Sequence, residues 1–361
     1  MPVQGFTRFR KLQTGYQGSN SSVLLTAAAA TRVLPLRGAP DVNLNWTYAD
    51  IDQGNLFKVQ APYKTALDAT QSARGPLTFN DFPYYASATL ESGVTPSSSG
   101  TSRTWLHQPA GVGTPEPIGY FTNQWGDDVG DPAGELPGDW FQFLGAIGSR
   151  LVLTGPQNMG PVEVEQSYRY SDVRYQGSTD HPVSGTVPTA GLTVDPAPTF
   201  VFLGDLELFL NDTPGAIGTT KVSNAVHALT LTIENDLDPK HFANGSNTRF
   251  TTQDWGRGEM RVTLEMTYAK TSQTVGLLSE SDKWTDDDAQ ARYAELRWTS
   301  PSLASAGIPY SLNIRLALRN VTRREGEIGG NTVVIITGDG FYDPTLTYAI
   351  RASVTNTLSA L

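Results

Sequence analysis

Two stretches of alternating apolar and polar residues constrain the fold of this chain more than any other feature. Apolar residues fall at every second position in 229–234 (Leu-Thr-Leu-Thr-Ile-Glu) and again in 261–268 (Arg-Val-Thr-Leu-Glu-Met-Thr-Tyr). A period of two is typical of a β-strand with one face on a core and the other exposed. We therefore predict two half-buried strands, joined by a Gly- and Asn-containing loop over 236–258.

A weak internal similarity involves the same strands. Residues 149–153 resemble 227–231, a separation of 78 (227 minus 149), and residues 162–168 resemble 262–268, a separation of 100 (262 minus 162). Two similar strand pairs in one chain favour two related β-units. Alternating strands also resemble one another by composition alone, so both explanations stay open.

The composition fits a β-rich chain with many turns. With 361 residues the chain is long enough for two domains, and its 35 Gly and 23 Pro suit turns and loops. Hydrophobic residues make up 39% of the chain, which argues against disorder. We predict one unit over 1–185 and a second over 186–361, with the boundary in the Pro-containing segment 177–198.

Charge and cysteine content exclude several classes of function. The net charge of −10 argues against a nucleic-acid clamp, which needs a basic surface, but not against a conduit through which DNA slides. The absence of Cys excludes disulfides, zinc–thiolate sites and thiol catalysis. We expect no signal peptide, because Met1–Lys11 contains no apolar run, and no membrane span.

Two segments have the signals of helices. Segment 80–91 has apolar residues at helical spacing, Pro83 in its first turn and Gly93 after its end. Segment 285–298 begins with Thr285 as a candidate cap and three Asp residues, which complement the helix dipole. We predict one helix near 80–91 in the first unit and one near 285–298 in the second.

The sequence offers no pattern for chemistry. None of the four His residues has a metal-ligand spacing, and the acidic clusters do not match a calcium loop. Nucleophile-elbow, phosphate-loop and dinucleotide motifs are absent. We therefore predict no catalytic, cofactor-binding or metal site, and a protein that is not an enzyme.

Four segments spread along the chain carry a resemblance to a known family. They are the helical segment 80–90 with Gly93, the strand 145–153 followed by 161–164, the segment 222–235 leading to 258–268, and the closing segment 341–348. With these features the chain resembles the tail tube proteins (major tail proteins) of bacteriophages with long, non-contractile tails. The motifs are structural patterns rather than catalytic signatures.

This resemblance implies a mainly β fold with two short helices, arranged as two tail-tube-like β-sandwich or barrel units. It implies a structural virion protein that assembles into stacked rings, forming the channel through which DNA is ejected. A chain with two units could close a ring with three copies and pseudo-sixfold symmetry. The implied partners are further copies, tape measure protein and DNA in the lumen, and tail-tip and terminator proteins at the ends. The implied location is the virion tail, assembled in the host cytoplasm.

Arginine residues near the C-terminal end are candidates for contacts between copies. Strand 312–319 alternates strongly and carries Arg315 and Arg319 on its polar face, which can meet a neighbour or the lumen. Arg323 and Arg324 are predicted at an exposed hairpin tip with mixed charge. Arginine suits such contacts because its guanidinium group donates several hydrogen bonds in a fixed geometry.

Long polar loops are candidates for ring-to-ring contacts. We interpret 94–117, 127–138 and 236–258 as such loops, and 37–45 as a further loop. The candidate stacking residues in them are Ser97, Arg103, Asp127, Asp128, Asn244 and Arg249.

Three other interpretations compete with a tube protein. A carbohydrate-binding β-sandwich or adhesin would need an exposed aromatic platform, and the candidates for it are Trp105, Trp125, Trp140 and Trp255. A hydrolase would need two carboxylates in one cleft. A capsid or baseplate protein of a similar virion would share the composition.

Overall fold

The fold is described by a computed structural model. The described residues are 10–19, 25–51, 59–109, 119–127, 140–175, 192, 195, 197–222, 226–241, 252–270 and 291–361. These residues confirm the mainly β fold predicted from the alternating patterns.

Strands dominate the described chain, with one α-helix and two short 3-10 turns. The strands are β1 (Arg10–Gly18), β2 (Arg32–Leu34), β3 (Pro40–Ile51), β4 (Val59–Pro76), β5 (Ser97–Ser99), β6 (Ser102–His107), β7 (Tyr120–Asp127), β8 (Phe141–Gly155), β9 (Glu163–Tyr170), β10 (Asp172–Tyr175), β11 (Leu206–Asn211), β12 (Lys221–Val222), β13 (Val226–Lys240), β14 (Asp254–Ala269), β15 (Ala291–Ser305), β16 (Ile308–Ile328), β17 (Asn331–Gly340) and β18 (Ile350–Asn356). The helix is α1 (Phe82–Thr89), and the 3-10 turns are Leu203–Asp205 and Pro214–Ala216.

A central antiparallel sheet runs through the molecule in the order β3-β4-β9-β8-β13-β14-β17-β16. Within the described residues this sheet is open rather than closed into a barrel, and β3 and β16 form its two edges. Both stretches from which the fold was predicted lie in its middle, in β13 and β14.

Two long strands pass from the central sheet into flanking sheets. The first part of β8, at 141–146, pairs with β7 and β10, and β7 continues to β1 and β2. The first part of β16, at 308–319, pairs with β15 and β18, and β15 continues to β11 and β12. The β5–β6 hairpin is added to the outer edge of β18.

One hydrophobic core joins these sheets. It contains Leu231 and Leu264 of the central sheet together with Phe143 and Leu316 of the flanking parts. All eight residues of α1 are buried against it, which confirms a helix within 80–91 and explains why its residues are apolar on nearly every side. A helix without a polar face is stable only inside a protein.

The helix predicted at 285–298 is wrong over the part that the structure describes. Residues 291–298 lie in β15, between β11 and β16, while 285–290 fall outside the described residues. Pairing with two strands has overridden the helical signals, because local propensity is weaker than tertiary context. Within the described part, Arg292 forms an ion pair with Asp212, and Arg297 forms one with Glu295.

Three predicted loops also contain strands. Segment 94–117 contains β5 and β6, and 37–45 contains the start of β3. In 236–258, β13 continues to Lys240 and β14 begins at Asp254, which leaves a shorter connection. The polarity that suggested loops belongs to exposed faces of strands.

Candidate intersubunit interface

The strand pairings occur twice in the same order along the chain. The counterparts are β1 and β11, β2 and β12, β3 and β13, β4 and β14, β7 and β15, β8 and β16, β9 and β17, and β10 and β18. Each of the seven antiparallel pairings within the first set recurs in the second. A change of sheet halfway along a strand, in β8 and in β16, also recurs.

Irregularities in register occur at corresponding places. The β8–β9 register shifts between Gly148 and Arg150, and the β16–β17 register shifts between Asn320 and Thr322. The β3–β4 register shifts once, between Asn45 and Trp46. The β13–β14 register shifts near the corresponding position, between Asn235 and Leu237, and once more at its other end. Bulges are more specific features than alternation. The registers also make Val42 the counterpart of Ile233. Val42 pairs with the buried Ala69 of β4, and Ile233 pairs with the buried Val262 of β14.

The similarity noted in the sequence joins different strands from these counterparts. The compared pairs are β8–β9 and β13–β14, whereas the topology matches β8–β9 with β16–β17 and β13–β14 with β3–β4. The compared strands all belong to the central sheet and bury the same face of it; β8 and β13 are neighbours, whereas β9 and β14 are not. The predicted boundary at 185/186 falls between β10 and β11 and stays a prediction.

The two sets of strands meet where β8 pairs with β13. Residues 150–155 pair with 229–234 in antiparallel register, with Leu153 opposite Leu231. Leu153 and Leu231 are buried, and on the opposite face Arg150 Nε lies 3.0 Å from a Glu234 carboxylate oxygen. An apolar row and a polar, charged row therefore hold this junction together.

Helix α1 crosses the same junction with its C-terminal end. The side-chain amide of Asn235 donates to the carbonyl oxygens of Thr89, at 2.7 Å, and Gly148, at 3.0 Å. The Arg257 guanidinium donates to the carbonyls of Thr89, at 2.8 Å, and Leu90, at 3.0 Å. Carbonyls at a helix end lack partners within the helix, so these residues of the second set satisfy a helix of the first.

Substituting Arg257 by alanine is expected to lower the free energy of unfolding by about 2 kcal/mol, because several charge-assisted hydrogen bonds to buried carbonyls would be lost. Urea denaturation of the variant measures this change. Arg261→Ala is the matched control, since this side chain is 74% exposed and has only a 3.8 Å ion pair with Glu259. Equal midpoints for the two variants would contradict a role for Arg257 at the junction.

Each set leaves one edge of the central sheet without a partner in the described chain. The outer edge of β3 has no pairing, and the second part of β16 pairs only with β17. Val42 on β3 is 37% exposed, whereas its counterpart Ile233 on β13 is 1% exposed. An open edge with an apolar residue favours pairing with another chain.

The outward face of the central sheet carries paired charges. Arg150 lies 3.1 Å from Glu165, Arg324 lies 3.4 Å from Glu265, and Arg74 forms an ion pair with Glu163. Neighbouring outward-facing positions on the same strands carry Thr and Ser side chains. This face is therefore polar without a strong excess of either charge among the described side chains.

The four arginines predicted between copies lie in different surroundings. Arg315 is used within the chain, because its Nε lies 2.9 Å from the fully buried Glu295 carboxylate. Arg319 is exposed, with its guanidinium carbon 4.9 Å from the centre of the Phe341 ring. The predicted hairpin tip is wrong for Arg323 and Arg324, because both lie within β16 and the turn follows at 329–330. Arg324 is exposed on the β16 edge, and the side chain of Arg323 is outside the described set. A contact of these residues with another copy stays a prediction.

The predicted stacking residues are only partly described. Ser97 and Arg103 come together in the β5–β6 hairpin, where Arg103 donates to the carbonyl of Gly100. Asp127 is the last residue of β7, paired with Arg10. Asp128, Asn244 and Arg249 lie outside the described residues.

Features for other functions are weak in the described part of the chain. The four tryptophans proposed as an aromatic platform are buried, with exposures of 1% for Trp105 and Trp140, 5% for Trp255 and 9% for Trp125. Among the described residues no three His, Asp or Glu side chains converge as a metal site would require. No helix in that set is long and apolar enough to cross a bilayer.

Sequence comparison adds no relative. No protein-family model matches the chain, and no curated protein matches it significantly. The repeated topology and the two unpaired edges of the central sheet are the features that bear on function.

Proposed function

We propose that this chain is a structural protein that assembles into stacked rings, forming the tail tube of a bacteriophage with a long, non-contractile tail. One observation carries the proposal. The last central strand of the first set, β8, pairs with the first central strand of the second set, β13. Their counterparts, β16 and β3, are the two free edges.

Repeating the internal contact between chains uses both free edges. Strand β16 of one copy would pair with β3 of the next, which is a head-to-tail contact between different surfaces. Such contacts give a closed ring if the rotation closes, and otherwise a helical filament. With two sets of strands per chain, three copies give six units around the ring, and no edge of the central sheet remains exposed.

The outward face of the central sheet suits the lining of such a ring. The opposite face packs on the core, so a barrel made from this sheet presents its Thr, Ser and ion-paired residues to the lumen. Arginines that already contact carboxylates attract DNA phosphates less than free arginines do. Over the described residues the proposed lumen is therefore lined by paired charges.

The remaining partners follow from this assignment as proposals. DNA and a tape measure protein would occupy the lumen, and tail-tip and terminator proteins would cover the two ends. The virion tail is the proposed location. We do not propose a carbohydrate-binding function, because the four indoles that would form its platform are buried.

Negative-stain electron microscopy of the purified chain, over a range of concentrations, tests the proposal. Rings or hollow tubes with six-lobed end-on views are expected, and mass measurement of single rings should give three chains. Assembly can be slow when tail-tip, terminator and tape measure proteins are missing. Preformed tail fragments are therefore added as seeds to a parallel sample. Monomers in both samples would overturn the assignment.

A further inference from the structure

We infer the register of the contact between copies: residues 38–43 of one copy pair with 322–327 of the next, so that Asp41 lies opposite Arg324. This inference rests on the proposed function, since it describes the contact that closes the ring. It names a second copy of this chain as the partner of both free edges.

The register follows from the counterparts of the internal junction. In that junction Ile233 pairs with Leu151 and Thr232 pairs with Val152. The β3–β4 and β13–β14 registers make Val42 and Asp41 the counterparts of Ile233 and Thr232.

The other strand is placed in the same way. The matching bulges make Thr322 the counterpart of Arg150 in β8, so that Arg323 and Arg324 correspond to Leu151 and Val152. Val42 then pairs with Arg323 of the next copy, and Asp41 pairs with Arg324.

Backbone groups of Pro40 and Val42 on β3 have no hydrogen-bond partner among the described residues and can make this contact. Arg37 and Arg74 exchange two backbone hydrogen bonds of 2.9 Å, so Arg37 faces β4. Because backbone direction alternates along a strand, the backbone groups of Pro40 and Val42 face away from β4. The Gly38 carbonyl oxygen already accepts a 2.7 Å hydrogen bond from the Gln71 side-chain amide. Pro40 has no N–H, and at that position the carbonyl alone can join the ladder, which is compatible with a strand that is an edge in the single chain.

Charge at this register is complementary. Asp41 is exposed, and the side chain of Arg324 is 66% exposed, with a 3.4 Å contact to Glu265 as its ion pair. Opposite charges directly across an antiparallel pair stabilise it. The counterparts Thr232 and Val152 carry no charge. The opposite-charge pair of Asp41 and Arg324 would therefore stabilise the contact between chains and has no equivalent in the contact within a chain.

Cysteine cross-linking tests the register, and the natural chain has no Cys to interfere. In the variant with Asp41→Cys and Arg324→Cys, oxidation of assembled protein should give covalent dimers and closed trimers on a non-reducing denaturing gel. Directly opposite residues have Cα separations of roughly 4.5–5.5 Å, within disulfide range. The control with Asp41→Cys and Gly326→Cys is two positions out of register and should stay largely monomeric.

Charge reversal gives an independent readout. Asp41→Arg should raise the protein concentration needed for assembly by on the order of tenfold, because each of several contacts per ring gains a like-charge pair. The double variant with Asp41→Arg and Arg324→Asp should restore assembly. Arg261→Asp, on the same face but away from both edges, controls for charge alone.

The outcomes separate this inference from the proposed function. If rings form and only the control pair cross-links, or if the double charge variant assembles no better than Asp41→Arg, the register is wrong and the tube assignment stands. If the natural chain forms no rings even with seeds, the proposed function fails. Selective cross-linking in rings of the variant with Asp41→Cys and Arg324→Cys supports both.

Discussion

Replacing Arg315 by alanine is expected to lower the free energy of unfolding by about 3 kcal/mol, because it removes a partner from a buried carboxylate. Glu295 is fully buried in β15, and one carboxylate oxygen accepts hydrogen bonds from Arg297 and, at 3.0 Å, from Asn313. Arg315 Nε lies 2.9 Å from the other oxygen. Urea denaturation of the unassembled chain measures the effect.

Two further variants make this test specific. Arg319→Ala, four residues along the same strand, removes an exposed guanidinium over the Phe341 ring and should cost about 1 kcal/mol or less. Combining Arg315→Met with Glu295→Gln should recover part of the loss, since no unpaired charge then remains buried. If Arg315→Ala leaves the urea midpoint unchanged but prevents assembly, Arg315 acts between copies.

Lowering the pH from 6.5 to 5 is expected to lower the free energy of unfolding by about 2 kcal/mol through His107 alone. Burial lowers the pKa of His107 to about 4, while a hydrogen bond to the Glu91 carbonyl oxygen, 3.0 Å from Nδ1, partly opposes this shift. Because the folded pKa lies below the unfolded value, the unfolded chain binds a proton that the folded chain excludes. This stability is present above the unfolded pKa and is lost as pH falls towards 4.

The His107 effect is measured by urea denaturation at pH 7, 6 and 5. His107→Asn keeps a donor for the Glu91 carbonyl and should flatten the pH dependence by about 1 kcal/mol per pH unit in this range. His227→Asn, on a partly exposed position of β13, is the matched histidine control. Equal slopes for the natural chain and His107→Asn would show that folding does not change the pKa of His107. Since β6 pairs with β18, a weakened His107 environment would loosen this link between the two sets of strands.

The parts of the fold that sequence reasoning found are those with an unambiguous period. Alternation in β13 and β14 and the all-round apolar character of α1 were sufficient, because in each case the pattern matches the burial. Strand β3 was missed although Val42, Leu44, Trp46 and Tyr48 alternate with polar residues. Its many Asn and Asp residues have low strand propensity, and they suggested a loop.

The error at β15 has a different cause. Acidic residues followed by arginines at 286–297 match the charges of a helix, and nothing local shows that Glu295 will be buried beside two arginines. Burial of that carboxylate depends on β11 and β16, which lie far away in the sequence.

Sequence reasoning could identify only one side of the candidate interface. Arg324 could be selected because a charged hairpin end suggests an exposed contact. Its proposed partner Asp41 is about 280 residues away, and only the strand order and registers relate the two positions. Pairing between distant edges is a property of the topology and has no local signal.

The doubled strand pattern also affects how such a ring would form. When two units are parts of one chain, the contact between β8 and β13 forms at the high effective concentration of a tethered pair. A ring of three chains then needs two encounters between free molecules, whereas a ring of six separate units would need five. Each avoided encounter spares the loss of translational and rotational entropy that association carries. Covalent linkage thus lowers the order of the assembly reaction in protein concentration, and rings can nucleate in more dilute solution.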